Sequence, residues 1–248
     1  MTAVLAVKGA TKRYGAVVGL DEVDLDVRAG EVLALLGDNG AGKSTLIKAL
    51  SGALALDRGA IEMDGRRVTL HSPADARRLG IETVYQDLAL FDNLRPSDNF
   101  YAGRELAGPR WLPRSIRVLN RKEMAATTRT TLDRLQVRLD DHGAVGLLSG
   151  GQRQAVAVAR AAAFASRVVI LDEPTAALGV RESRRVLDLI LRLRDEQKAV
   201  IVVSHAMDHV MEVADRAVVL RRGRKVGELV PSTDTYAQIV SLIVGGGA

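Results

Sequence analysis

The chain has 248 residues and a formal net charge of +5, and its residues are 47% hydrophobic, 26% charged and 3% aromatic. This aliphatic content, together with only six prolines, excludes an intrinsically disordered chain. The sequence has no run of about 20 apolar residues, the length that a bilayer-spanning helix needs. It also has no cysteine, which excludes disulfides and thiolate metal sites. We therefore expect a globular protein of a reducing compartment, the cytoplasm.

The first third of the chain has the pattern of β-structure. Val4–Lys8 is a short apolar run, and Val23–Val27 alternates apolar and polar residues, as a half-exposed strand does. Val32–Leu36 is apolar on both faces, which is typical of a central strand in a parallel sheet. A hairpin is predicted around Met63–Arg66.

The pattern becomes helical over about residues 87–165. Asn120–Glu123 has the form of a capping box at a helix start. Three apolar residues after it fall on one helix face: Met124, Leu132 and Leu135. The glycine and prolines of Gly108–Pro113 predict an irregular loop. We expect this region to form an inserted helical subdomain.

Strands and helices alternate in the rest of the chain, and no internal repeat is visible. The predicted strands are Val168–Leu171, Val200–Val203 and Ala217–Leu220, and the predicted helices are near Glu182–Arg194 and Met207–Ala214. Such alternation implies a parallel sheet covered by helices. The predicted fold class is α/β, with a mainly parallel sheet, an N-terminal antiparallel β subdomain and the helical insertion in one domain of residues 1–248.

A glycine-rich segment directly follows Val32–Leu36 and precedes a helical stretch. It reads Gly37-Asp38-Asn39-Gly40-Ala41-Gly42-Lys43-Ser44-Thr45, the G-x-x-x-x-G-K-S pattern in its required strand–loop–helix context. Its glycines can adopt positive φ and let backbone N–H groups face a phosphate, and the next helix presents its positive dipole end. Lys43 would reach the β- and γ-phosphates, and the Ser44 hydroxyl would bind Mg²⁺. The segment predicts a nucleotide site in a P-loop NTPase core, rather than a glycine-rich turn with a chance lysine.

Polar residues also end two of the predicted strands. Beside the phosphate loop, Asp172 could hold the hydration shell of Mg²⁺, and Glu173 could act as a base toward the attacking water. Acidic residues before a proline turn are also common without such a role. His205 follows Val200–Val203, and we expect it at the C-terminal edge of the sheet, where open α/β folds bind ligands.

A second glycine-bearing helix start occurs at Leu148-Ser149-Gly150-Gly151-Gln152, before an alanine-rich run. This N-terminus also suits an anion, with the Ser149 hydroxyl as an additional donor. The simplest use of two such helix ends is a head-to-tail pair of chains. In this pair, the Ser149 end of one subunit closes over nucleotide held by Lys43 of the other.

These motifs, in this order, resemble the ATP-binding subunits of ABC transporters over essentially the whole chain. The resemblance implies that Tyr14 stacks on adenine. It implies that Gln86 contacts Mg²⁺ and the attacking water and senses the membrane partner. It further implies that Ser149 to Gln152 face the γ-phosphate of the other subunit, that Glu173 is the general base and that His205 is the switch histidine.

One position departs from this family's pattern. The usual Ser-Ala-Leu-Asp after Asp-Glu-Pro-Thr is Ala176-Ala177-Leu178-Gly179 here, so an aspartate that helps to join the two sites across the dimer is missing. The residues from Asp172 to Ser183, and Thr83–Leu90, are similar to the branch that imports ribose, xylose, fructose and similar monosaccharides. Members of that branch often carry two ATPase halves, and the single half here implies a homodimer.

The resemblance therefore predicts an ATP-hydrolysing subunit, peripheral on the inner face of the cell membrane, with ATP and Mg²⁺ bound. It would drive sugar import through membrane-spanning permease subunits, served by an extracytoplasmic sugar-binding protein. The alternatives are transport of another substrate, an ABC-type ATPase acting on nucleic acid or ribosomes, and a regulatory module without turnover. We expect no nucleic-acid partner, and we interpret the basic clusters Arg110–Lys122 and Arg221–Lys225 as solvated surface.

Overall fold

The computed structural model describes residues 3–108, 118–137, 139, 143–176 and 178–245. An antiparallel sheet is built from β1 (Ala3–Tyr14), β2 (Val17–Arg28), β4 (Arg58–Met63) and β5 (Arg66–Val68), in the order β2-β1-β4-β5. This sheet confirms the predicted N-terminal antiparallel β-structure and the hairpin. The first two strands are longer than predicted, because repeated register shifts in their pairing bend them without ending them.

The second sheet is mainly parallel. It contains β3 (Val32–Leu36), β6 (Ile81–Val84), β9 (Val168–Asp172), β10 (Ala199–Val203), β11 (Arg216–Arg221) and β12 (Arg224–Leu229), in the order β12-β11-β3-β10-β9-β6. Every pairing is parallel except that of β11 with β12, which form a hairpin. The strands predicted in the last third of the chain are therefore confirmed within one residue or two of their ends.

The helices flank these sheets and connect their strands. They are α1 (Lys43–Leu50), α2 (Pro73–Arg78), α3 (Pro96–Phe100), α4 (Arg121–Arg134), α5 (Gly150–Phe164), α6 (Val180–Asp195), α7 (Met207–Val213) and α8 (Tyr236–Val244). A 3₁₀ turn at Val145–Leu147 precedes α5. Within the described ranges, no helix combines the length and the apolar character that crossing a membrane requires.

The parallel sheet is the middle of three layers, which explains why its central strands are apolar on both faces. Alternate residues of β3 go to opposite sides of the sheet. Leu33 and Leu35 pack with α1 and the antiparallel sheet, whereas Val32 packs with α5 and α6. A third apolar cluster, around Ile239 of α8, covers the side of the sheet near β11. The parallel strands β3, β10, β9 and β6 end at one edge of this sheet.

Residues 87–165 are less uniformly helical than predicted. They include α3, α4 and α5, but residues 87–95 are not helical, and β7 (Ala107–Gly108) pairs with β8 (Val118–Leu119). The rest of the predicted loop, Pro109–Pro113, and the arginines at 110, 114 and 117 lie outside the described residues.

The predicted capping box at the start of α4 is half formed. The Asn120 side chain accepts from the Glu123 backbone N–H at 3.2 Å, as a capping residue does. The reciprocal bond is missing, because the Asn120 backbone N–H donates to the carbonyl of Leu106. The Glu123 carboxylate accepts from the Asn120 side-chain amide in its place. The apolar face after this cap is buried as predicted, at Met124, Leu132 and Leu135.

Candidate active site

Loops that follow neighbouring parallel strands converge on one cleft of about 320 Å³. The strands β3, β10, β9 and β6 are adjacent in the sheet and run in the same direction, so their carboxyl ends meet at one edge. The cleft is lined by residues from all four loops: Asn39 to Thr45, Gln86, Asp172, Glu173 and His205. Residues far apart in the sequence are therefore brought together where the sequence predicts a site.

The glycines of the phosphate loop have the backbone conformations that were predicted for them. Gly37, Gly40 and Gly42 have φ values of 146°, 78° and 108°. A Cβ on Gly37 would lie 2.3 Å from the carbonyl oxygen of Leu220, and one on Gly42 would lie 2.6 Å from that of Gly19. Close packing as well as φ therefore requires glycine at both positions. The helix α1 begins at Lys43, so its N-terminus opens into the cleft.

Lys43 lies under the phosphate loop and is only 7% exposed. Its Nζ donates to the carbonyl oxygens of Gly37 at 2.7 Å and Asp38 at 3.0 Å. Burial lowers the pKa of this ammonium, and the carboxylates of Glu173 and Asp172 oppose that effect. Gly37 and Asp38 do not line the cleft, and the Asp38 carboxylate accepts from the Asn39 N–H at 2.7 Å.

Two carboxyl groups at the end of β9 lie across the cleft from the phosphate loop. Burial raises the pKa of both Asp172 and Glu173. For Asp172 the positive charge of Lys43 is the main opposing effect, and for Glu173 it is His205. The His205 Nε2 lies 3.3 Å from Glu173 Oε1. This oxygen is buried, yet it accepts no hydrogen bond from any described residue. A group with a free donor, such as water, would fit there.

The backbone of Glu173 has a left-handed conformation, which is unusual for a residue other than glycine. Its φ is +52°, which for a residue other than glycine costs on the order of 1 kcal/mol. The Glu173 N–H donates to the carbonyl of Val203 at 3.0 Å, which ties the residue to the neighbouring strand β10. Strain of this kind is concentrated at functional sites, where the surrounding structure holds it.

One aromatic ring, that of Tyr14, lines one side of the cleft. Tyr14, at the end of β1, is 47% exposed, and the neighbouring Val17 is 66% exposed. The Tyr14 ring lies against Gly19, since a Cβ on Gly19 would be 2.8 Å from Tyr14 Cε2. This exposed ring is positioned to stack on a flat ligand that enters beside the phosphate loop.

The second glycine-bearing helix start is elsewhere on the molecule. Ser149 caps α5 with a complete capping box, in which its Oγ accepts from the Gln152 N–H at 3.3 Å and Gln152 Oε1 accepts from the Ser149 N–H at 2.9 Å. The hydroxyl, predicted as a donor, is an acceptor in this box, and its hydrogen remains for another group. None of Ser149 to Gln152 lines the cleft that contains Lys43, so a single chain does not bring the two helix ends together.

Two residues that the sequence did not suggest fix the segment after Gln86. Arg160 of α5 donates to the carbonyls of Ala89 at 2.8 Å and Leu88 at 3.0 Å, and burial lowers its pKa. Asn99 of α3 is fully buried, and its amide bonds the backbone of Phe91, Leu94 and Arg95. A charged residue within an alanine-rich helix is a weak sequence signal for Arg160. Nothing in the sequence indicates the role of Asn99.

The chain is similar to known proteins over nearly its whole length. A family model described as ABC transporter matches residues 20–176. A fructose import ATP-binding protein of Rhizobium meliloti is 49% identical over 98% of this chain and 94% of its own length. A xylose/arabinose import ATP-binding protein of Sulfolobus acidocaldarius is 47% identical over 90% of this chain and 87% of its own. A ribose import ATP-binding protein of Rubrobacter xylanophilus is 44% identical over 99% of this chain, which spans 48% of that relative.

Solved structures share the fold. An ATP-binding cassette of an ABC transporter in its ADP conformation has a TM-score of 0.83 at 23% identity, covering 99% of this chain and 100% of that one. A dimeric bacterial ABC transporter cassette has a TM-score of 0.75 at 23% identity, covering 92% and 99%. These likenesses confirm the predicted P-loop NTPase fold. Since a model of the family matches most of the sequence and relatives reach 49% identity, the chain belongs to the ABC transporter family.

Proposed function

We propose that this chain is the ATP-hydrolysing subunit of a monosaccharide importer. The observation that carries the proposal is the convergence of the phosphate loop, Gln86, Asp172, Glu173 and His205 on one cleft. The names of the relatives, which are fructose, xylose/arabinose and ribose import ATP-binding proteins, support the transported class. We extend the proposal to the whole chain as one ATPase domain, with a helical subdomain over about residues 87–165.

The phosphate side of the cleft fits a nucleoside triphosphate. The backbone N–H groups of Asn39 to Thr45 and the N-terminus of α1 would hold its phosphates, with Lys43 moving from two carbonyl oxygens to the β- and γ-phosphates. Mg²⁺, when bound, neutralises phosphate charge. The residues that would hold it are Ser44, Asp172 and Gln86, an oxygen donor set of the kind that Mg²⁺ prefers. Tyr14 would stack on the base.

Glu173 would take the proton of the attacking water. Its Oε1 is buried and accepts no hydrogen bond from the described residues, and its backbone has a φ of +52°. Burial raises the pKa of this carboxyl, which makes its ionised form a stronger proton acceptor. His205, 3.3 Å away, would orient the water or the γ-phosphate from the other side.

The test of this function is steady-state phosphate release from ATP. Glu173→Gln keeps the shape of the side chain and removes the base, so we expect turnover to fall by about 10²–10⁴-fold while ATP still binds. Lys43→Ala should sharply weaken ATP binding, turnover or both. The matched control is Glu196→Gln, at the opposite edge of the sheet, which should keep turnover. Near-normal turnover in Glu173→Gln would refute the assigned role.

We propose that two copies assemble head to tail, so that Ser149 to Gln152 of one chain face nucleotide in the other. The surface around this helix start supports an interface, because Leu147 is 84% exposed and Val180, beside Gly179, is 89% exposed. ATP should convert Glu173→Gln from monomer to dimer in size-exclusion chromatography. A monomer at saturating ATP would contradict the assembly.

We also propose that permease subunits contact the surface beside Gln86, which places the chain at the inner face of the cell membrane. A cleft of about 300 Å³ adjoins this segment, and Phe91 at its edge is 54% exposed. The test is uptake of labelled fructose, xylose and ribose by cells that depend on this chain, its permease and a sugar-binding protein. Loss of uptake with Glu173→Gln would support sugar import. Intact uptake, with a salt-sensitive gel shift on nucleic acid, would favour the non-transport alternative.

A further inference from the structure

Glu182, in the first turn of α6, connects two glycine-containing segments. Its methylenes lie against Gly151, because a Cβ on Gly151 would be 2.4 Å from Glu182 Cγ and 2.6 Å from Glu182 Cβ. Its carboxylate lies over Gly179, because a Cβ there would be 2.7 Å from Glu182 Oε2. The Glu182 side chain therefore occupies the space that side chains at positions 151 and 179 would need.

These segments are both adjacent to the surface through which we propose that the two chains meet. Gly151 belongs to the first turn of α5, which Ser149 caps, and Gly179 is the N-terminal flanking residue of α6. The two segments are also close at Gly150, where an added Cβ would lie 3.7 Å from Leu178 Cδ2. Glu182 therefore packs between the two helix starts.

Among the described residues, the Glu182 carboxylate has no hydrogen-bond or ion-pair partner, and Gly179 gives α6 no side-chain cap. The Glu182 side chain packs against the two glycines, lies at the positive end of α6, and lines a cleft that it shares with Arg185 and Arg192. The carboxylate occupies the space that a side chain at position 179 would enter.

We propose that Glu182 is a positioning residue that replaces the side chain missing at Gly179 and fixes the Ser149–Gln152 turn for its action on nucleotide in the other subunit. This inference rests on the proposed ATPase function and dimer. A purely structural role at the start of α6 would change stability alone. A positioning role changes the rate at saturating ATP and leaves nucleotide affinity of the single chain unchanged.

The test is a double-mutant cycle between positions 179 and 182, with turnover, ATP affinity, Hill coefficient and thermal midpoint measured for each variant. Gly179→Asp brings a Cβ into contact with the Glu182 carboxylate and displaces it, so kcat should fall by about threefold or more and the Hill coefficient should change. Glu182→Ala should lower kcat similarly while ATP affinity stays within about twofold. In the Glu182→Ala background, Gly179→Asp displaces nothing and should cause no further loss.

The control is Asp188→Ala, an acidic residue farther along α6, which should keep the parent kcat. Effects of Gly179→Asp and Glu182→Ala that multiply, or a Glu182→Ala variant with parent kcat, would overturn the inference while leaving the proposed function intact. A parent chain without ATP turnover would instead overturn the proposed function, and the inference with it. If Glu182→Ala does not fold, Glu182→Ser replaces it in the cycle, because its short side chain also leaves the space over Gly179 open.

Discussion

At the scale of single residues, Glu173 is the proposed general base, and burial of its carboxyl lowers the stability of the fold when that group is ionised. Burial raises its pKa above 4.5, so between that value and the raised one the folded chain holds a proton that the unfolded chain has lost. The contribution of this group to stability is therefore largest at low pH, and it decreases as the pH rises through that window. The ionised form of this carboxyl therefore lowers the free energy of unfolding relative to the protonated form.

We therefore expect Glu173→Gln to be more stable than the parent at pH 8, with a difference that shrinks as the pH falls toward 4. Denaturant unfolding of both proteins at each pH measures this difference. Glu196→Gln is the control, and it should gain nothing, because it loses ion pairs with Arg134 and Lys198. A Glu173→Gln chain less stable than the parent at pH 8 would contradict the direction of the shift.

Tyr14 is expected to contribute affinity without discrimination between bases. An aromatic ring stacks on any base, and such stacking is worth about 1–3 kcal/mol. Tyr14→Ala should therefore weaken ATP and GTP binding by this amount alike, and Tyr14→Phe should be nearly silent. Equilibrium binding of both nucleotides provides the measurement. Unchanged affinity in Tyr14→Ala would make Tyr14 a surface residue at the end of β1.

At the scale of elements, the short helix α3 acts as a clamp on the non-helical segment before it. The Asn99 amide accepts from the Phe91 N–H at 2.7 Å and donates toward the carbonyls of Phe91, Leu94 and Arg95. Asn99→Ala leaves the Phe91 N–H without its acceptor, whereas the carbonyls of Phe91, Leu94 and Arg95 each keep a backbone donor. We expect the free energy of unfolding to fall by about 1–3 kcal/mol, the cost of one unsatisfied group.

Denaturant titration measures this loss, and the control is Asn93→Ala, an exposed amide in the same segment. Asn99→Asp separates the two halves of the clamp, because it keeps the acceptor for Phe91 and removes the donors. It should remain less stable than the parent. An Asn99→Ala chain as stable as Asn93→Ala would show that water replaces the clamp.

Elements with a strong local signal were predictable, and those fixed by distant contacts were not. The strands β3, β9 and β10 are buried on both faces and therefore appear as aliphatic runs, and the phosphate loop appears as a run of glycines. The backbone conformation of residues 87–95 depends on two later residues. Asn99 is 8 residues from its partner Phe91, and Arg160 is 71 residues from its partner Ala89. Likewise, half of the Asn120 capping box was lost to the carbonyl of Leu106. Such competition between partners is invisible in the local sequence.

At the scale of the whole molecule, Gln86 lies where the nucleotide cleft meets the segment that we assign to the membrane partner. Segments of this kind complete a catalytic site only when closed. Gln86→Ala should therefore reduce the stimulation of ATPase by permease and loaded sugar-binding protein more than it weakens ATP binding. ATPase rate against ATP concentration, with and without these partners, tests this coupling. Asp87→Ala, the exposed neighbour, is the control, and full stimulation of Gln86→Ala would disprove the coupling.

The strand order also determines when the chain can first bind nucleotide during its synthesis. Both sheet neighbours of β3, the strands β10 and β11, come from residues 199–221. Two later residues brace the phosphate loop. The Leu220 carbonyl packs closely against Gly37, and the Gly223 N–H donates to the Ala41 carbonyl. At about 5–20 residues per second, the loop leaves the ribosome on the order of ten seconds before these braces exist. A nascent chain therefore carries an apolar strand with two open edges until β10 and β11 are made, and we expect it to bind ATP only after that point.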